Sequence, residues 1–425
     1  MNYQQALDFL FNLERFGIRL GLENTLSLMN RLDNPHLKFA AIHIAGTNGK
    51  GSCAAMLHSV LNRAGYVTGL YTSPHLLDFS ERIKVSGCHI EKEFVTDFIS
   101  DLRDEIEKNG YTFFEVATSL AFHYFAYKKA EIAVVETGLG GRLDSTNVIL
   151  PEVTIITNIG LEHTSMLGKT LKEIAQEKGG IIKKDVPVIT AIRKERPYKV
   201  IETLCREKNS ELISVFKASS WKIRRSSPEG MEFDLSTKDN SYPGVQLSLS
   251  GEHQVQNAAC AILALEKLNH KYTKVNRDSI LAGLNQTRWR GRLEVYRDEP
   301  LVILDVAHNP DGAGSLVKAL KRLFPDKKIN FIFGVMEDKD YKKMLLTLGR
   351  IAQEIILVQV QYHRGAKIEL LVKTAQILGF KFKAISDINN AYEYILGNMS
   401  EEEILCITGS HFTVGEFLKG QEKKL

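Results

Sequence analysis

The cysteines of this 425-residue chain are few and unpaired: five, at positions 53, 88, 205, 260 and 406, with no CxxC spacing among them. An odd count without that spacing speaks against a disulfide framework and a structural zinc site, and suits a reducing compartment. Long apolar runs are missing too. None reaches the roughly 18 residues that a membrane span needs, and the opening MNYQQALDFLFNLERFG lacks the basic-then-apolar order of a secretory leader. Charge of one sign is scarce. Against 51 acidic residues stand 55 basic ones, and the resulting +4 is too weak a field to argue for nucleic acid, though compatible with anionic ligands. Internal repeats and low-complexity tracts are absent. What remains is ordinary for a soluble globular protein, with 44% hydrophobic and 25% charged residues. The length exceeds the size at which one core stops growing, so two domains are expected, in a cytoplasmic protein of enzyme size.

Short apolar runs alternate with helical periods. AAIHIA, ending near Gly46, reads as a buried strand, and Cys53 to Arg63 as a helix. Tyr66 to Tyr71 reads as a strand, Glu93 to Lys108 and Phe114 to Tyr127 as helices, and EIAVVE and VTIITN as strands. The alternation predicts an α/β fold with a mostly parallel sheet covered on both faces. Between Trp221 and Leu249 the period changes to two, in WKIRR, MEFDLS and VQLSLS, which predicts a small antiparallel meander. HQVQNAACAILALEKL reads as a helix. A second alternation follows, with strands LVILDV, INFIFG, EIILVQV and EILCIT. The expected domains are 1–294 and 295–425. The basic cluster Lys183, Lys184, Arg193, Lys194 and Arg196 reads as a solvated face.

Four segments carry chemistry. In IHIAGTNGKGS a strand feeds a glycine-rich turn and then a helix, an arrangement that aims backbone N–H groups and a helix N-terminus at one spot. Gly46, Gly49 and Gly51 allow close approach to a phosphate, Lys50 can reach terminal phosphates, and Ser52 can serve a metal or a phosphate oxygen. The strict pattern G-x-x-x-x-G-K-[ST] fails, because Ile44 takes the first glycine's place and Gly51 separates Lys50 from Ser52. In VVETGLGGRLDSTN, Leu143 replaces the third glycine of a dinucleotide loop, so the oxidoreductase reading is weak. Glu136 ends an apolar strand there and needs a partner, either magnesium beside the phosphate loop or a nearby cation. In VTIITNIGLEHTSMLG, His163 lies just past a strand end. Lys178, in AQEKGGII, reads by itself as a surface lysine. Finally, ILDVAHNPDGAGS repeats the strand, polar turn and helix design, with Asp305 at the strand end, His308 and Asn309 in the turn and Pro310 opening the helix. CITGS followed by HFTVGEF, with Ser410 at the turn, is a parallel case.

Taken together, the segments resemble a known family. GTNGKGS, YTSPHL with ERI, FFE, ETGLGGRLDSTN, LEHTSMLG, EKGGII, GEHQVQNA, GRLE, DVAHNPDG and TGSHF stand in the same order as in the folylpolyglutamate synthases of the Mur ligase superfamily. The likeness runs from about Gly21 to about Gly415. DVAHNP and TGSHFTV look more like the bifunctional dihydrofolate synthase/folylpolyglutamate synthase branch. The resemblance implies an N-terminal P-loop ATPase-like domain and a C-terminal Rossmann-like α/β domain. It further implies ATP-dependent joining of L-glutamate to dihydropteroate or to a folate glutamyl tail through an acyl phosphate. Carried over by position, Gly46, Thr47, Asn48, Gly49, Lys50, Gly51 and Ser52 would hold ATP phosphates, with Asn257, Arg292 and Asp305 as further nucleotide contacts. Ser73, Glu136 and His163 look like the magnesium site. Thr112, Phe113, Phe114 and Glu115, with Leu143, resemble the pterin pocket. Lys50, Lys178, His308 and Ser410 are the implied catalytic positions, Lys178 matching a lysine that is carbamylated in the family. Magnesium, with ATP as substrate, is implied as cofactor, and K+ is a further expectation. The expected partners are small molecules only, with no nucleic acid or membrane, and the expected state is a monomer.

Two departures stand out. Thr137 occupies a position where valine is usual, and Gly179 one where alanine is usual, which would loosen the helix bearing Lys178 by about 1 kcal/mol. Three other readings compete. A cell-wall Mur ligase shares the ATP chemistry, but the phosphate loop starts by residue 46 and leaves no room ahead of it for the UDP-sugar domain such enzymes commonly carry. A nucleotide-hydrolysing switch would give the DVAHNP turn no role, and a non-catalytic nucleotide module would not need Lys50, Glu136 and His163 together.

Overall fold

The computed structural model describes residues 1–17 and 21–422. The chain is a two-domain α/β protein. One compact unit comprises residues 1–221, 235–243 and 256–287, and a second comprises 222–234, 244–255 and 288–425.

The first unit is built on an eight-stranded sheet. Its strands are β1 (Ala40–Ala45), β2 (Thr68–Tyr71), β3 (Ile83–Val85), β4 (Cys88–His89), β5 (Ile132–Glu136), β6 (Val153–Ile156), β7 (Val188–Thr190) and β8 (Leu212–Ser214), in the order β4-β3-β2-β5-β1-β6-β7-β8. From β2 to β8 every pairing is parallel, and β3 and β4 add an antiparallel edge. Helices cover both faces, so the central strands are buried and largely apolar: all five residues of β5 and all four of β6 are buried. The chain leaves β1 toward β2 on one side, while β6 follows β5 on the other. That places a change of winding beside β1, the position where open α/β sheets leave a crevice at the carboxyl ends of their strands.

Several boundaries differ from the sequence expectation for identifiable reasons. The helix after β1 begins at Lys50, not Cys53, because Gly49 in the left-handed region (φ 86°) caps it and turns the loop directly into the helix. The short strands β3, β4, β7 and β8 were not foreseen, since two or three residues carry too little periodicity to register. The period-two segment forms a three-stranded sheet of β9 (Ser219–Ser227), β10 (Gly230–Thr237) and β11 (Ser241–Leu247), in the order β11-β10-β9.

The second unit holds a six-stranded sheet made of β12 (Glu294–Arg297), β13 (Val302–Leu304), β14 (Lys328–Phe333), β15 (Ala352–Leu357), β16 (Phe382–Ala384) and β17 (Glu403–Thr408), in the order β12-β13-β17-β14-β15-β16. The five strands from β13 to β16 in that order pair in parallel, and β12 runs antiparallel to β13. Phe331, Phe333, Ile355, Leu357, Ile404 and Cys406 supply its apolar centre. Glu252 receives both Lys318 and Arg322 from the helix Pro310–Leu323, so an acidic side chain in the first turn of one helix holds the solvent face of another.

Candidate active site

The loop 46–52 leaves the carboxyl end of β1 at the sheet's centre. Two glycines there are dictated by sterics. A Cβ on Gly46 would lie 1.9 Å from Thr157 Oγ1, and one on Gly49 would lie 2.5 Å from Asn257 Oδ1 at a φ of 86°. The next strand holds the loop in shape. Thr47 N–H bonds the Asn158 carbonyl at 3.0 Å, Asn48 N–H bonds Asn158 Oδ1 at 2.8 Å, and Thr157 Oγ1 donates to the Asn48 carbonyl at 2.7 Å. Lys50 Nζ folds back to the carbonyls of Gly46 and Thr47 at 3.1 and 3.4 Å. The helix Lys50–Arg63 starts under the loop with no side-chain cap, so its first N–H groups present positive partial charge to the loop. Asn257, on the helix Glu252–Leu268, stands against Gly49 and thus belongs to this loop's surroundings.

Glu136 ends β5, the neighbour of β1, and is 4% exposed. Its Oε1 is 3.8 Å from Lys50 Nζ, and its Oε2 lies 3.4 Å from the Ser73 N–H. Both cation and carboxylate are therefore at one spot, and Ser73 is beside them. His163 adopts φ 45° ahead of the short helix Thr164–Leu167 and lies close enough to Glu162 to help lower its pKa. Among the described residues no group of three His, Cys, Asp or Glu side chains gathers as a ready metal cage. One observation nevertheless fits magnesium. Ser52 Oγ is buried and has no hydrogen-bond partner, the state expected of a hydroxyl that waits for a ligand at the head of a phosphate-loop helix. A hydroxyl and one carboxylate, completed by substrate phosphates and water, are the donor set that magnesium takes in such sites.

Lys178 is not a surface lysine. It is 2% exposed, and its Nζ donates to Glu162 Oε1 at 2.6 Å and to the Gly46 carbonyl at 2.8 Å. Burial pushes the Lys178 ammonium down while Glu162 pulls it up. Burial also works against the Glu162 carboxylate, but Lys178 and Lys50 outweigh it and hold that carboxyl at about 2. The glycine at 179 has a packing cause. A Cβ there would meet Leu204 Cδ1 at 2.3 Å and Ile201 Cδ1 at 3.0 Å, so the helix Leu171–Gly179 gives up side-chain volume to approach the helix Glu195–Glu207.

The FFE segment opens the helix Phe113–Tyr127. Thr112 and Glu115 form a reciprocal capping box, with Thr112 N–H to Glu115 Oε2 at 2.7 Å and Glu115 N–H to Thr112 Oγ1 at 3.4 Å. Their polar atoms are thus engaged in fixing the helix start, and the rings beside them form the wall. Phe113 stacks on Phe11 at 5.5 Å and lies under the Arg82 guanidinium at 5.1 Å. Phe114 packs near Tyr71 at 6.1 Å, and a Cβ on Gly138 would meet its ring at 2.3 Å. Leu143 is half-buried in the same loop.

In the second unit, Asp305 sits past the end of β13. Its carboxylate accepts the N–H groups of Leu293 and Ala307 at 3.1 and 2.9 Å. Burial raises its pKa, against the pull of Arg292. His308 Nδ1 donates to the Val306 carbonyl at 2.9 Å, which leaves Nε2 as the unprotonated ring nitrogen of the neutral form. Its ring lies 5.4 Å from that of His411, and His411 Nε2 is 3.5 Å from Arg292 Nη2. Ser410 Oγ is 2.7 Å from Thr413 Oγ1 and accepts the Thr413 N–H at 3.0 Å. Asp305, Arg292 and His308 thus form one cluster, joined by His411. The sequence reading overlooked His411, Glu162, Thr157 and Asn158. Each lies inside a quoted segment, VTIITNIGLEHTSMLG or TGSHF, but the partners that give it a role come from distant parts of the chain.

Comparison with known proteins shows what the chain is similar to. The Mur ligase middle domain matches residues 44–265, and the Mur ligase glutamate ligase domain matches residues 291–411. The dihydrofolate synthase/folylpolyglutamate synthase of Bacillus subtilis is 36% identical over 425 residues, covering 98% of each chain. The folylpolyglutamate synthase of Lacticaseibacillus casei is 33% identical over 85% of this chain and 86% of its own. Among solved structures, Escherichia coli FolC in complex with DHPP and ADP superposes with a TM-score of 0.89 at 27% identity, covering 99% of this chain and 98% of that one. The folylpolyglutamate synthase of Thermotoga maritima gives 0.84 at 34% identity, covering 100% and 99%.

Proposed function

Because this chain belongs to the Mur ligase family, and within it to the dihydrofolate synthase/folylpolyglutamate synthases, we propose that residues 46–52 with Lys50 hold ATP while a pteroate or folate carboxylate is activated for attack by L-glutamate. The protein is an ATP-dependent acid–amino-acid ligase. A carboxylate oxygen of the acceptor takes the γ-phosphoryl group, giving an acyl phosphate and ADP. The glutamate amine then attacks the carbonyl carbon, phosphate leaves, and the amine loses a proton as the amide forms. This family membership also removes the nucleotide switch and the non-catalytic module from consideration.

The residues divide the work as follows. Lys50 and the N–H groups of the loop neutralise the charge that moves from the γ-phosphate to the leaving oxygen, and positioning with charge neutralisation is most of what phosphoryl transfer requires. Ser52, Glu136, Ser73 and His163 would hold magnesium, which when bound screens the repulsion between two anionic reactants. Thr112, Phe113, Phe114, Glu115 and Leu143 form the side that takes the pterin ring. His308, with its unprotonated Nε2, is suited to accept the proton of the incoming ammonium, and Ser410 and Arg292 with Asp305 complete the glutamate and nucleotide contacts of the second unit. Carbamylation of Lys178 would need the neutral amine, which burial favours, and would set a second anion beside Glu162. K+ adds no step to this scheme, and a KCl series at fixed ionic strength tests it.

The observation that carries the reading is the convergence of Lys50, Glu136 and the partnerless Ser52 hydroxyl at the carboxyl edge of β1. The experiment offers Mg-ATP and labelled glutamate with dihydropteroate and tetrahydrofolate in separate reactions. Labelled product with both acceptors supports the bifunctional type, and product with one restricts the activity to it. ATP turnover without labelled product from either acceptor sinks the ligase reading.

A further inference from the structure

Three residues ahead of Gly46, the strand that feeds the phosphate loop carries a histidine. His43 is fully buried, between Ile42 and Ile44. Its Nε2 lies 2.8 Å from Thr146 Oγ1, and that oxygen lies 2.5 Å from Asp144 Oδ1. Asp144 also accepts the Thr146 N–H at 3.1 Å and the Leu139 N–H at 2.7 Å. With these donors converging on it, the Asp144 carboxylate is the acceptor. Thr146 therefore gives its one hydroxyl proton to Asp144 and must accept from His43, whose neutral ring is protonated on Nε2. His43 Nδ1 is left buried without a hydrogen-bond partner. Such an unsatisfied atom is costly, and an aliphatic side chain in this strand would not carry that cost. A buried polar atom left unpaired in a strand of mostly aliphatic residues calls for an explanation, and the contacts of the other ring nitrogen supply one.

The three residues tie two parts of the site together. Asp144 closes the loop 137–144, whose Gly138 packs on Phe114 and which carries Leu143. The loop's other end is held by the Thr137 N–H on the Ile44 carbonyl at 2.9 Å. Strand β1 thus grips the loop at its start through the backbone and at its finish through His43, Thr146 and Asp144.

We propose that His43 is a positioning residue for the acceptor: through the Thr146 hydroxyl it fixes Asp144, and so holds the loop 138–143 in register with the phosphate loop. The proposal rests on the ligase reading above. Thr146→Val removes the hydroxyl at nearly constant shape, and Thr146→Ser restores it. With Mg-ATP saturating, Thr146→Val raises the acceptor KM about tenfold, the order expected when the hydroxyl's links to His43 and Asp144 are both lost, and leaves the KM for ATP within about twofold. Thr146→Ser stays within about twofold of the parent on both. Nitrogen-15 labelling of the histidines, read in the parent without substrate, shows a pyrrole-like Nε2 and a pyridine-like Nδ1 at His43. An unchanged acceptor KM in Thr146→Val, an equal rise in both KM values, or the opposite tautomer overturns the proposal. If Thr146→Val does not fold, Thr146→Ser and the tautomer decide it. A parent that makes no product with any acceptor refutes the ligase reading, and the tautomer still judges the proton order.

Discussion

Replacing Glu162 with glutamine removes the charge that holds Lys178 against the phosphate loop. The pair is 2.6 Å apart, with side chains 2% and 8% exposed. Removing one member of a buried pair leaves the other uncompensated, at a cost of about 3–5 kcal/mol. The carboxyl's own shift gives a similar figure: from 4.5 to about 2 corresponds to ~3 kcal/mol. Burial of Lys178 opposes this, so that figure is an upper bound. Urea denaturation at pH 7 should place Glu162→Gln and Lys178→Met each ~2–3 kcal/mol below the parent. The double variant should lie above the sum of the two by ~2 kcal/mol, because neither charge is then stranded. The sign of the pH effect follows from a depressed folded pKa. The contribution is present above 4.5 and disappears as the pH falls toward 2, so the parent loses stability in that window more steeply than Glu162→Gln. Additive single and double variants would refute the coupling. A Glu162→Gln protein more stable than the parent would refute the ammonium itself and indicate an anion at position 178.

Three other outcomes follow from the site. Gly49→Ala forces a side chain into a φ of 86° and to 2.5 Å from Asn257 Oδ1; calorimetry should show Mg-ADP binding weakened by about tenfold or more. Ser52→Ala should leave the melting temperature unchanged, since Oγ has no hydrogen bond to lose, while the KM for Mg-ATP rises about tenfold. Thr112→Ala breaks the capping box and should lower stability by about 1 kcal/mol in denaturant titration.

The central strands were legible because they are buried on both faces and read as largely apolar runs. The loop 46–52 was legible because strand, glycines and lysine occur consecutively. Lys178 was not: a helical lysine beside an apolar run looks like surface until the sheet brings Gly46 and Glu162 to it, 132 and 16 residues away in sequence. The glycine at 179 was misjudged for the same reason, since its cause is Leu204 on another helix. Conversely, Thr112 and Glu115 were singled out for a ligand, and the structure first gives them a capping role that S/T-x-x-E spacing announces. The antiparallel strand β12 escaped notice because Glu294–Arg297 is half polar and only four residues long.

The account stands on transfer of the γ-phosphoryl group to an acceptor carboxylate. An acceptor labelled with oxygen-18 in that carboxylate, turned over with Mg-ATP and glutamate, tests this directly by mass spectrometry of the released phosphate. The account predicts one labelled oxygen in each inorganic phosphate formed. Unlabelled phosphate alongside a normal yield of amide would contradict it.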